Sequence, residues 1–112
     1  MSTFDSLPKE SKKLFCILYK QYLKNLKDNM SKSRARFMDN SDYIQKNLYS
    51  HLSVDDVSDI CRNLHHNDFI ECHFGDDLVL DVSITDDAIA FMQHRFKNGI
   101  KDLTTFITSL IP

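Results

Sequence analysis

The sequence predicts a mainly α-helical chain with one small β-hairpin. Three observations predict it. Apolar residues recur at helical spacing over most of the length; the period changes to two only between Ile70 and Ile84; and glycine (75 and 99) and proline (8 and 112) are almost absent. A chain of 112 residues is long enough for one core without covalent staples and short for two domains. Residues 1–112 are therefore expected to form a single domain, with a core over about 8–97 and one more helix over about 100–111. Because it begins at Met1, the chain is expected to be a complete small protein.

The elements follow in order. The first helix runs from about Pro8, which suits a first turn where a missing N–H costs nothing, to Asn29. Leu14, Phe15, Leu18, Tyr22 and Leu26 form its inner face, widened by Ile17 and Tyr19, while Lys12, Lys13, Lys20, Lys24 and Lys27 lie opposite. Residues 30–34 read as a loop and Ala35–Met38 as a stub of strand. Asn40 or Ser41 caps a second helix, with Ile44 and Leu48 inward and Tyr43 alongside. The third helix has Ser53 as its cap, Asp56 at the third helical position and a Leu52–Val57 staple. Val54, Val57, Cys61 and Leu64 share its inner face, and Asn67 is expected to end it in a left-handed conformation.

Ile70, Cys72 and Phe74 then alternate with Glu71 and His73. After Gly75-Asp76-Asp77, Leu78, Leu80, Val82 and Ile84 alternate with Val79, Asp81 and Ser83, which makes a hairpin. Thr85 starts a fourth helix, with Asp86 and Asp87 in its dipole-favoured first turn, a staple from Ile84 to Ile89, and Ala88, Met92 and Phe96 inward. Gly99 is its expected stop. The last helix sets Ile100, Leu103, Phe106, Ile107 and Leu110 on one broad stripe.

Several classes are excluded early. The longest uncharged apolar stretch, from Leu103, is about half of what a membrane span needs. The opening MSTFDSLPKESKK lacks the order of a secretory signal. Three cysteines (Cys16, Cys61, Cys72) do not make a disulfide framework, so reduced thiols and a cytoplasmic location are expected. There is no Gly-rich phosphate loop, no His-Glu-x-x-His pair and no Ser or Cys in a known nucleophile context. The Asp pairs at 55/56, 76/77 and 86/87 fall at caps and turns. No catalytic residue and no cofactor are expected. Cys61, His65, His66, Cys72 and His73 have zinc chemistry. Cys72 and His73, however, point to opposite faces of a strand and Cys61 holds a core position, so no metal site is expected.

The order of helix, strand stub, helix, tight turn, helix, hairpin, helix resembles the winged helix-turn-helix. The stretch Asp59–Met92, DICRNLHHNDFIECHFGDDLVLDVSITDDAIAFM, bears most of the likeness. Ile84-Thr85-Asp86-Asp87-Ala88 is similar to the helix restart that follows the wing in small Gram-positive and phage proteins of the YjcQ kind. Asn67 stands where such proteins often have Gly. The resemblance implies a winged helix with an extra C-terminal helix, acting as a DNA-associated transcription regulator on duplex DNA. The last helix either packs back on the first helix of its own chain or, as the resemblance implies for flanking helices, joins a homodimer with Leu103, Phe106, Ile107 and Leu110 as contacts.

Charge argues against the usual pose. The net of −2 hides a split: residues 1–37 hold nine Lys/Arg and three acids, residues 38–112 five Lys/Arg and thirteen acids. A major-groove helix would bring Asp55, Asp56 and Asp59, and a wing tip of Asp76 and Asp77, toward phosphates. Arg62, Asn63 and His66 are the groups on that side suited to nucleic acid. The basic stretch Lys20, Lys24, Lys27, Lys32, Arg34 and Arg36 is therefore the expected phosphate-contacting surface, with salt-dependent and weakly selective binding. The alternative is a protein-interaction module, or a phage or mobile-element inhibitor, in which Asp55, Asp56, Asp59, Asp76 and Asp77 meet a protein partner. For both charge runs the plain alternative is a solvated face.

Overall fold

The structure is a computed structural model that describes residues 4–76 and 78–110. A short 3-10 turn, Phe4–Ser6, precedes α1 (Lys9–Lys27), α2 (Lys32–Ala35), α3 (Ser41–Asn47) and α4 (Val54–His66). The hairpin β1 (Ile70–Gly75) and β2 (Leu78–Ile84) follows, then α5 (Asp86–Arg95) and α6 (Ile100–Ser109). A mainly helical chain with one antiparallel two-stranded hairpin is thus the observed class.

The predicted caps close as hydrogen bonds. The side chains of Asn40, Ser53 and Thr85 accept from the backbone N–H groups of Tyr43, Asp56 and Ala88. Residues 30–34 are not all loop: Lys32–Ala35 is a helical turn capped by Ser31. The stub after it is reduced to one bridge, Phe37 opposite Ser83, with Met38 N–H donating to the Val82 carbonyl (2.8 Å) and Ile84 N–H to that of Arg36 (3.2 Å).

Two stop signals differ from expectation. Asn67 keeps a negative φ of −97°; Asp68 is the left-handed residue, at φ 66°. Its N–H reaches the His65 carbonyl and the Phe69 N–H reaches that of Leu64, closing a Schellman motif one residue later than predicted. Gly99 does not end α5, which stops at Arg95. At φ 63° it caps the start of α6 instead.

The hairpin carries the largest departure. His73 pairs with Asp81 but Phe74 pairs with Val79, so Leu80 is an extra residue, a β-bulge. The bulge turns Val79 inward (1% exposed) and Leu80 outward (56%), the reverse of strict alternation. Phe74 also faces out (42%) and lies against His65 and under Arg62.

One hydrophobic core joins all the helices longer than one turn to the hairpin. It begins before Pro8: Phe4 is 1% exposed and lies among the rings of Phe69, Phe91, Phe96 and Phe106. The last helix lies back on α1 of its own chain. Leu103 is fully buried there, while Phe106 and Ile107 pack against the core from its edge. Leu103 is therefore a core residue and not a dimer contact. The rest of the apolar stripe, Ile100, Phe106, Ile107 and Leu110, is half-buried.

Candidate nucleic-acid interface

The basic residues singled out from the sequence divide by surroundings. Lys24, Lys27, Lys32 and Arg34 are exposed, and Lys20 is half-buried. None of these five has an ion-pair partner among the described residues. Arg36 is different. It is half-buried and ion-paired with Asp86, which ties the strand stub to the start of α5. The unpaired cations run along the second half of α1 and continue into α2.

That stretch borders two adjoining grooves. The larger, about 510 Å³, is walled by Gln21 and Asn25 of α1, Arg34 of α2, Phe37 of the stub and Tyr43 of α3, with Met30, Asp39 and Ser83 at its sides. The smaller, about 280 Å³, lies between α1, the end of α3 and α6, and includes Lys20, Lys24, Leu48 and Ile107. Gln21 lines both. The wall of the larger groove is held by side-chain amides: Gln21 donates to Asn25 (2.9 Å), which donates to the Ala35 carbonyl (3.1 Å). Five large hydrophobic residues are exposed among the described residues, and three of them, Met30 (37%), Phe37 (49%) and Tyr43 (43%), line this one groove. Sequence reading placed Tyr43 beside the core and gave Phe37 no role. Both sit on short elements, a one-bridge strand and a seven-residue helix, where periodicity cannot tell inside from outside.

The predicted recognition side of α4 is committed otherwise. Arg62 holds Asp59 at 3.0 Å and lies over the Phe74 ring at 5.4 Å. Asn63 accepts from the Ser11 hydroxyl at 2.8 Å. His66 is exposed at the end of the helix. Asp55 and Asp56 are exposed in its first turn, and Asp76 is exposed in the hairpin turn at φ 49°; Asp77 lies outside the described residues.

The zinc-type residues separate as the strand geometry predicted. Cys61 and Cys72 are buried together, with the Cys72 thiol 3.9 Å from the Cys61 carbonyl. His73 lies on the other strand face, 2.8 Å from Asp81. Among the described residues no three His, Cys, Asp or Glu side chains gather as a metal site. Burial pushes the Cys16 and Cys61 thiols up to about 12 and Cys72 up to about 11, so none is a thiolate at neutral pH. No described helix is long and apolar enough to cross a membrane. Comparison of the chain with protein-family models, curated proteins and solved structures returned no match.

Proposed function

We propose that this chain is a winged-helix, DNA-associated regulator that contacts nucleic acid through the second half of α1 and through α2, and not through α4. The observation that carries the reading is the run of unpaired cations Lys20, Lys24, Lys27, Lys32 and Arg34 beside two grooves, while the exposed first turns of α3, α4 and α5 are acidic. Cations without acidic partners keep their full charge for phosphate, and binding that releases counterions from phosphate is strongly salt-dependent. The winged-helix reading is supported by the Phe37–Ser83 bridge, a single antiparallel pairing beside β2 where a winged helix has its first short strand, and by the short link between α3 and α4. In this reading α4 supports the fold, since Asp55 and Asp56 would repel phosphate.

The test is a salt titration of binding to fluorescent oligonucleotides, comparing wild type with Lys24→Glu/Arg34→Glu. The charge-reversed chain is expected to bind at least tenfold more weakly, with a shallower dependence of log K on log salt by about one per lost phosphate contact. Equal binding by the two proteins sinks the proposal.

A second reading, contact with a protein through Asp55, Asp56, Asp59 and the hairpin, is favoured by one observation. Phe74 and Leu80 are exposed on the same hairpin. Asp55→Lys/Asp56→Lys then removes a partner that the α1–α2 variants retain.

A further inference from the structure

We infer that the larger groove is a seat for unpaired nucleotides: bases stack on Phe37 and Tyr43 while the strand's phosphates follow Arg34, Lys24 and Lys20. The inference rests on the reading of α1 and α2 as a nucleic-acid surface and adds to it the form of nucleic acid that fits. Three features point the same way.

Phe37 and Tyr43 expose about half of their surface into one groove (49% and 43%), with Met30 beside them. Three of the five exposed large hydrophobic residues among those described therefore meet in one place and are not scattered singly. A flat ring half out of a groove is the shape that a base face covers, and any base can stack there.

The two grooves taken together suit a polyanion, with three cations against one carboxylate. Arg34 lines the larger, and Lys20 and Lys24 line the groove that adjoins it through Gln21; the single carboxylate among the lining residues of the two is Asp39. An acidic peptide would share this charge complementarity. Two separate aromatic rings with cations spaced along the flank match alternating bases and phosphates more closely.

Duplex DNA uses the phosphate-binding half of this surface only. Its bases are stacked on one another and offer no free face to a side chain, so Phe37 and Tyr43 would add nothing to duplex affinity. A single strand of DNA or RNA would engage both halves. Discrimination between the two sugars is not built into stacking, so both are expected to bind.

The experiment measures fluorescence anisotropy with oligo-dT, oligo-U and a mixed-sequence duplex at fixed salt, on wild type, Phe37→Ala/Tyr43→Ala and Lys24→Glu/Arg34→Glu. Both rings are exposed, so the variants are expected to fold, and circular dichroism of each variant is the check. Wild type is expected to bind the two single strands more tightly than the duplex. The ring-deleted protein is expected to lose about tenfold or more on oligo-dT and oligo-U and to change less than twofold on the duplex. If it loses nothing on single strands while the charge-reversed protein loses affinity for all three, the base seat is wrong and the phosphate surface stands. If the charge-reversed protein binds all three like wild type, the surface reading itself fails. A wild type that ignores all three oligonucleotides but binds poly-glutamate containing tyrosine, and loses it on ring deletion, identifies the groove as a peptide site and overturns the inference.

Discussion

Single residues do several jobs at the junctions of this fold, and Thr85 is the clearest case. Its hydroxyl accepts from the Ala88 N–H as the α5 cap (3.2 Å) and donates to the Asp68 carbonyl (2.8 Å), fastening α5 to the turn after α4. Thr85→Ala is expected to cost about 1–2 kcal/mol in urea unfolding, and Thr85→Ser to recover most of it. The buried thiols make a second prediction. Cys16, Cys61 and Cys72 hold their protons to pH about 11–12 when folded and release them near 9 when unfolded. Above pH 9 the unfolded chain therefore binds fewer protons, and stability must fall as pH rises through that window. Tyr19, raised by burial, pulls in the same direction. The urea midpoint is expected to be lower at pH 10 than at pH 8; an unchanged midpoint contradicts the burial of these groups. At pH 8 the three thiols should react with a disulfide reagent only after denaturation.

At the scale of elements, three side-chain-capped helix starts were legible, the Ser31 cap of α2 and the Gly99 cap of α6 were not, and helix ends were less legible. A start is chosen by a side chain that reaches back to an N–H, and Asn40, Ser53 and Thr85 are the residue types that do this well. An end is chosen by which residue accepts positive φ, and Asn67-Asp68 offers two neighbours able to do so; packing of Phe69 under Phe4 and Phe15 decides for Asp68. The bulge at Leu80 was not legible, because Val79 and Leu80 are equally apolar and a one-residue slip exchanges their faces. The groove was hidden for a related reason. In sequence Tyr43 lies beside an inner face and Phe37 in a stub with no set face, and only the placement of α2, α3 and the stub leaves them open. The basic stretch itself was readable residue by residue, apart from Arg36, whose pairing with Asp86 joins positions 50 apart. Gly99 offers a check on the junction. Its φ of 63° is costly for any other residue, while an added Cβ would meet only Leu23 at 3.7 Å. Gly99→Ala should therefore cost about 1–2 kcal/mol of backbone strain without a steric clash, measured by thermal unfolding.

Over the whole molecule, the near-neutral net charge is a sum of unlike surfaces. Exposed cations without ion-pair partners lie on α1 and α2, and exposed acids lie at the start of α4 and at the hairpin turn. The last helix completes the core of its own chain, so Leu103→Ala is expected to destabilise by about 2–4 kcal/mol, equally at low and high protein concentration. A loss that depends on concentration would return α6 to an interface between copies.

Nucleic-acid contact at α1 and α2 is the proposal on which the rest depends. Its most direct measurement is the anisotropy salt titration of wild type against Lys24→Glu/Arg34→Glu. The charge-reversed chain is expected to bind at least tenfold more weakly, with a shallower salt slope. Identical affinity and slope, or loss of binding only when Asp55 and Asp56 are changed to lysine, would contradict the proposal.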